Sequence, residues 1–555
     1  MLFVGIDAAD PDYLERRFAE GALPHLASFR QNGAWGRMRS TFPVLSSAAW
    51  SSISTGLPPE KHGIYEFFRR IPGTWQDEPV HGGMKKGEDL WQIASRYDRR
   101  CVAINMPITY PPRKVSNCII VSGMDTPGES VKFVSPEEEK SPLLEAVPDY
   151  RIELTAAQFK TIEDFLTATS KAMEARKKAA LYLFDRWRPD LALVIFTALD
   201  RVLHALWKYV DPGHPAFHHP DAAKWRDRVD RLYDEVDHHL GELMQWAGED
   251  AITLVCSDHG GAAVHGTFYL NRWLIQNGYL KVRGSGSAGM LRAAGRIQKT
   301  IKVLVPRQVK NMFNRIFPNL YPSVETKLGL ARVDPSGTRV YGWRKTDVLR
   351  LNLAGREPGG KVVPGEDFKT LLNEVKEKLE AVIDPRNGRQ PISKVWTRHE
   401  IYRLAGELDD CPDLMIEWGD LLYDTDTSLD HPTGPLFVSE ERPGKPWREE
   451  INGNHALHGI FGMMGTGIQQ GSDLGTVDIL SIAPAAVKAM KLPPQEAMPG
   501  PVPENLFKNV EEDPGSDKDT TAAASTESSG EDADSVYSDE ERALIEKRLR
   551  DLGYM

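Results

Sequence analysis

Three acids in this sequence stand where a ligand site would be built. Ser257-Asp258-His259-Gly260-Gly261 follows the run 251–256, in which Thr253 is the one residue that is not apolar. Such a run reads as a buried strand. A carboxylate beside an imidazole at its carboxyl end, with a glycine turn after it, falls where open α/β sheets bind ligands. Carboxylate oxygen and imidazole nitrogen are also donors that divalent metals such as zinc accept together. Asp7 ends the apolar run 2–6, and Asp200 follows the apolar stretch 191–197. His204, four residues after Asp200, shares a helix face with it if the helix starts at that turn. Each acid alone also reads as a turn former or helix cap, and Asp200 with His204 as a cap plus a helix-face histidine. Three at equivalent places, two of them with histidine, point to one sheet edge. Asn454-His455 precedes a further apolar strand, and His455 by itself is a loop histidine.

A nucleophile candidate lies in the hydroxyl-rich stretch 41–67. Ser46 is a poor nucleophile at its free pKa and needs a base or a metal. No Gly-x-Ser-x-Gly elbow is present, so a hydrolase triad is not supported. Metal activation fits better, given the number of candidate ligands. Spacing does not separate Ser46 from Ser47.

The elements around these residues alternate between strand and helix. LFVGID, RRCVAINMPITYPP, NCIIVSGMDTP and the stretch 191–197 read as strands, with a long helix over 161–188. Continuously apolar strands between helices indicate a mostly parallel sheet covered on both faces, an α/β/α sandwich. FYLNRWLIQNGYL reads as helix. The sheet pattern is expected to resume with VLRLNLAG, a helix near 366–383, and PDLMIEW, and residues 474–491 read as a closing helix.

Residues 281–323 contain no acid and interleave Lys281, Arg283, Arg292, Arg296 and further bases with apolar residues. They form a basic amphipathic insertion that reads as a cap drawing anionic substrate, as a contact for an anionic membrane surface, or as a surface insertion. The expected organisation is a discontinuous catalytic domain over 1–280 and 335–508 and a cap insertion over 281–334. An acidic disordered linker over 509–536 and a short C-terminal helix over 537–555 follow, the helix capped by Ser538 with Glu541.

The 555 residues carry a net charge of -11 and four scattered cysteines. The charge argues against nucleic-acid binding, and the cysteines read as reduced thiols. Met1 leads directly into a strand and no apolar run reaches about 18 residues. The expected location is therefore cytoplasmic, with a peripheral membrane contact through the basic stretch.

GIDAAD, SSAAWSSISTGLPPEKHGI, LDRVLHALW, SDHGG and GNHALHGI occur in the order and spacing of the alkaline phosphatase superfamily. The branch they resemble is the type I phosphodiesterase/nucleotide pyrophosphatase family, including its predicted phosphohydrolases and phosphomutases. INMPITYPP, NLAGREPGG and RLRDLGY add to the likeness, which covers most of residues 1–500. The resemblance implies an alkaline-phosphatase-like fold and two divalent metal ions, zinc first and manganese or iron as alternatives. Asp7, Ser46, Asp258 and His259 would form one site, and Asp200, His204 and His455 the other. His458 falls where relatives often have an acid. Two cations about 4 Å apart clamp the attacking and leaving oxygens of an in-line phosphoryl displacement. The implied activity is hydrolysis of a phosphodiester or pyrophosphate in a phosphorylated small molecule, through a phosphoseryl intermediate on Ser46. A phosphomonoesterase or phosphomutase is the alternative, and a non-catalytic binding protein on the same fold a third. A sulfatase is disfavoured because no cysteine lies near Ser46.

Overall fold

The computed structural model describes residues 1–283, 332–402, 405–406, 409–429, 432–439, 447, 450, 452–508 and 536–552. The basic insertion expected over 281–334 lies outside the described residues except at its ends, as does the acidic linker over 509–536 except for its last residue. The chain divides into two compact units.

The first unit comprises Met1–Glu66, Val80–Val264 and Pro443–Val536. It is built on a nine-stranded sheet. In chain order the strands are β1 (Leu2–Ile6), β2 (Gly33–Arg39), β3 (Cys101–Met106), β4 (Cys118–Ser122), β5 (Val134–Ser135), β6 (Leu191–Phe196), β7 (Thr253–Cys256), β8 (His458–Met464) and β9 (Ser472–Asp478). Across the sheet they lie in the order β9-β2-β8-β7-β1-β6-β3-β4-β5. The strands β7, β1, β6, β3 and β4 are parallel to one another. β8 runs antiparallel to β7 and β2, β9 is parallel to β2, and β5 is antiparallel to β4.

β1, β6 and β7 are buried at every position. A strand covered on both faces must be apolar throughout, hence their unbroken apolar runs. Leu2, Val4 and Ile6 pack into one core with α2 (Ile162–Trp187), α3 (Ala198–Leu206) and α4 (Ala222–Ala247). Phe3 packs on the other face with Ala49, Trp50 and Ile53 of α1 (Ser46–Thr55). The result is an α/β/α sandwich. Gly5 sets the closeness of α1 to the sheet: a Cβ there would lie 2.3 Å from Ile195 Cδ1 and 2.5 Å from Trp50 Cη2.

The second unit comprises Phe67–Pro79, His265–Arg442 and Tyr537–Met555. Its four-stranded sheet orders Val340–Gly342, Val348–Leu351, Leu414–Trp418 and Ile392–Thr397, all antiparallel. The expectation that VLRLNLAG and PDLMIEW resume the parallel sheet is thereby corrected. A short apolar run carries neither strand direction nor partner, so order in the chain was a poor guide to sheet membership. A second correction concerns 474–491, which is strand β9 followed by the helix Ile482–Ala489. Gly475, at φ 60, and the β-branched pair Thr476-Val477 disfavour helix there. The helix Asp539–Asp551 begins with the Ser538–Glu541 capping box. Among the described residues no helix is long and apolar enough to cross a membrane.

Gly5→Ala should force Trp50 off β1 and cost about 1–3 kcal/mol of stability, as overpacking does. The measurement is the thermal midpoint; an unchanged value would mean that α1 moves freely over the strand.

Candidate active site

The topology delivers three acids to one edge. β7, β1 and β6 are adjacent and parallel, with Gly5 opposite Cys256 and Ile6 opposite Phe196. Asp258, Asp7 and Asp200 follow the carboxyl ends of these three strands. His455 arrives by the opposite route. β8 is antiparallel to β7, so the segment before it lies at the edge where β7 ends. There Gly453–Ala456 pairs with Gly260–Ala263 and sets His455 opposite Gly261. The glycine turn expected after His259 is corrected, since Gly260 opens the strand Gly260–Tyr269; both glycines there hold neighbours close, a Cβ lying 2.2 Å from the His458 carbonyl oxygen at Gly260 and 2.4 Å from Leu203 Cδ1 at Gly261.

All seven expected site residues converge. Ser46 Oγ lies 3.2 Å from His259 Nε2. The same nitrogen lies 3.3 Å from Asp258 Oδ2 and 3.6 Å from Asp7 Oδ1. Asp200 Oδ1 lies 3.3 Å from His204 Nε2 and 3.4 Å from His455 Nε2. The rings of His259 and His455 stack with centroids 3.8 Å apart, linking the two groups. Ser46, Asp7, Asp200, Asp258 and His259 are fully buried. Donor atoms of Asp7, Asp258 and His259 lie within 4.8 Å of one another, and so do those of Asp200, His259 and His455. Among the described residues His458 joins no such group; it opens β8 opposite Arg39. The Ser47 hydroxyl is buried and makes no hydrogen bond.

Backbone carbonyls orient the imidazoles. His259 Nδ1 is 2.8 Å from the Gly260 oxygen, His204 Nδ1 2.9 Å from that of Gly453, and His455 Nδ1 2.8 Å from that of Val44. A carbonyl only accepts, so each Nδ1 carries the hydrogen and donates it. In the neutral ring Nε2 then presents a lone pair to the carboxylates. Asp7 Oδ1, Asp200 Oδ1 and Asp258 Oδ2 are buried and receive no hydrogen bond. Lone pairs facing one another at 3.3–3.6 Å repel unless protons or a cation lie between them. This donor set fits a divalent metal, and the Nδ1-to-carbonyl contacts are the orientation metal-binding histidines take.

Ionisation follows from the same crowding. Burial, and then the charges of Asp258 and Asp200, hold Asp7 well above the usual carboxylate range. Burial with the charge of Asp200 pushes Asp258 up to about 6. Burial acts on Asp200 too, but His204 and the Arg201 guanidinium outweigh it and hold that acid well below its ordinary value. Burial, then His455, keeps His259 well below its usual range. His259 is therefore neutral at pH 7, and its Nε2 accepts the Ser46 hydroxyl hydrogen. Ala8, directly after Asp7, sits at φ 59, a conformation non-glycine residues rarely adopt. That turn lets its N–H donate to Asp258 Oδ1 at 3.3 Å, while Trp50 Nε1 donates to Asp7 Oδ2 at 3.4 Å.

Two buried residues around this cluster escaped the sequence reading. Arg201 donates to Asp200, and Glu153 lies against Arg201. Arg201 could have been noticed as the neighbour of Asp200; nothing around Glu153 marks it. A further donor group, Glu174, His239 and Glu242, joins α2 to α4. It already holds the ammonium of Lys177, 3.2 Å from Glu174 and 2.9 Å from Glu242.

Residues 1–433 match the family described as type I phosphodiesterase / nucleotide pyrophosphatase. No curated protein matches the chain significantly. Among solved structures, phosphonoacetate hydrolase from Sinorhizobium meliloti 1021 in complex with phosphonoformate is similar at a TM-score of 0.51 and 15% identity, over 88% of this chain and 95% of that one. Human ectonucleotide pyrophosphatase / phosphodiesterase 5 gives a TM-score of 0.47 at 13% identity, over 89% of this chain and 96% of that one. At such identities the first likeness speaks for the fold alone.

In chelator-treated protein, Asp7→Asn should leave the thermal midpoint unchanged or raise it, because burial beside Asp258 and Asp200 disfavours the charged form of the acid. Added Zn²⁺ should stabilise the unmodified protein by about 2.7 kcal/mol at one hundred times its dissociation constant. The variant should gain less, and an equal gain would remove Asp7 from the ligand set.

Proposed function

We propose, because the chain belongs to the type I phosphodiesterase / nucleotide pyrophosphatase family, that Ser46 and the surrounding acids and imidazoles form a two-metal centre for hydrolysing phosphodiester or pyrophosphate bonds. Membership makes the chain a hydrolase of the phosphoester and phosphoanhydride class. One observation carries the finer reading. The Ser46 hydroxyl lies 3.2 Å from His259 Nε2, inside a buried set of oxygen and nitrogen atoms that can bind a cation.

Asp7, Asp258 and His259, with the Ser46 hydroxyl, would hold one ion. Asp200, His204 and His455 would hold the other. The donor set suits zinc, and manganese or iron also accept it. When bound, two such ions lower the pKa of an oxygen nucleophile and offset the charge that builds on the transferring phosphoryl group and its leaving oxygen.

The chain's own residues supply the rest. Ser46 Oγ bonds to phosphorus as the bond from phosphorus to the leaving oxygen breaks, and the Ser46 hydroxyl proton leaves with that oxygen. Ser46 is the first residue of α1, so the phosphoryl group it accepts rests at a helix N-terminus, where partial positive charge favours an anion. Water then attacks phosphorus, the Oγ–P bond breaks, and Ser46 recovers a proton from that water. Burial of Ser46, Asp7 and Asp258 keeps bulk water away from the nucleophile before substrate arrives. The phosphonoformate bound by the Sinorhizobium meliloti enzyme supports a compact phosphoryl or phosphono anion as the substrate class.

Ser46→Ala should lower turnover of bis-p-nitrophenyl phosphate by at least about 10³-fold, as loss of a covalent nucleophile does, while Ser47→Ala keeps most of it. Turnover retained by Ser46→Ala would sink the phosphoseryl mechanism. Comparing bis-p-nitrophenyl phosphate, p-nitrophenyl phosphate and phosphonoacetate with added Zn²⁺ or Mn²⁺ reads the diester preference.

A further inference from the structure

Asp200 divides the work of its two oxygens. Oδ2 accepts a hydrogen bond from Arg201 Nη1 at 2.7 Å. Oδ1 receives none and faces His204 Nε2 at 3.3 Å and His455 Nε2 at 3.4 Å. The other edge of the same guanidinium lies against a carboxylate, with Arg201 Nε 3.3 Å from Glu153 Oε1 and Arg201 Nη2 3.3 Å from Glu153 Oε2. The relative exposures of Arg201, Glu153 and Asp200 are 5%, 6% and 0%.

Glu153 is itself held. Its Oε1 accepts the Leu154 amide at 3.0 Å. Arg176 of α2 ties the backbone beside it to the end of β6, donating to the Ile152 oxygen at 2.6 Å, the Ile195 oxygen at 3.1 Å and Thr197 Oγ1 at 2.9 Å. A planar guanidinium clamped along one edge by a fixed carboxylate has little rotational freedom. The hydrogen bond it donates therefore has a fixed direction.

We infer that Arg201, braced by Glu153, is a positioning residue that keeps Asp200 a one-oxygen donor, reserving Oδ1 for the cation shared with His204 and His455. The inference rests on the two-metal reading of the site. Without the clamp the carboxylate is free to rotate or to offer both oxygens, and the second ion loses its fixed partner. Arg201 touches neither substrate nor ion in this scheme; it acts through Asp200. Partners of this kind change metal affinity or activity by about 10–100-fold when removed.

The test is zinc titration of chelator-stripped protein by calorimetry, alongside turnover measured against zinc concentration. Arg201→Met should weaken the second zinc constant by about 10–100-fold and leave the first within about twofold, with much of the lost turnover returning at high zinc. Glu153→Gln should shift the same constant in the same direction by less, and it serves if Arg201→Met fails to fold. Arg201→Lys, which keeps charge but not the fork, should fall between. Both zinc constants unchanged in Arg201→Met and Glu153→Gln, with only a lower thermal midpoint, would make the pair a structural brace and overturn the inference. Two ions bound by the unmodified protein with that result would leave the two-metal reading standing. No zinc uptake by the unmodified protein would overturn both.

Discussion

Everything at the edge of the large sheet depends on three carboxylates buried together. Asp7, Asp200 and Asp258 are fully enclosed, and each keeps one oxygen without a hydrogen bond. Like charges in a low-dielectric interior cannot all remain ionised unless something positive joins them. Three imidazoles turn their Nε2 atoms into the same space. A fold that keeps such a cluster is complementary to cations rather than to its own side chains.

The second unit offers a contrast within the same chain. There Asp413 is as deeply buried, yet Arg356 and Arg398 bond directly to its two oxygens, and Arg350 pairs with Glu357. Burial pushes Asp413 up, but Arg356 and Arg398 outweigh it and leave the acid below its ordinary value. Each buried acid in that network has its counter-charge built in. Among the described residues, Asp200 is the one acid of the three that is hydrogen-bonded by an arginine, and that arginine engages the oxygen turned away from the histidines. The difference separates acids that brace a fold from acids left available to a ligand.

Backbone geometry gives the cluster its shape. Carbonyls of Val44, Gly260 and Gly453 take the Nδ1 hydrogens and thereby aim each Nε2. Glycines 260 and 261 let the start of β8 and helix α3 approach closely, and Gly5 lets Trp50 reach Asp7. These contacts join segments far apart in sequence, so the site is only as rigid as the sheet that spaces them. The parallel trio β7, β1 and β6 is buried at every position, the part of the unit least able to yield.

Much of this was legible from residue order. An apolar run ending in an acid is a physical signature, because a strand covered on both faces must be apolar and its carboxyl end is where polar groups can emerge. That logic located Asp7, Asp200 and Asp258 with the neighbouring His204 and His259, and the resemblance to the family assigned Ser46 and His455. Direction and partnership of strands were not legible. Apolar character says that a segment is buried, not beside what, so nothing in VLRLNLAG or PDLMIEW marks them as members of the second unit's sheet, and β2 and β9 carry no unbroken apolar run. The antiparallel course of β8 carries His455 to the acids' edge, and no local pattern encodes it. Nor could composition mark Arg201 and Glu153, whose significance is a shared contact with Asp200 across 48 residues of chain. Residue types and local periodicity determined which chemistry was available; the tertiary structure decided which atoms face one another, because distances between remote segments are set by sheet order and packing.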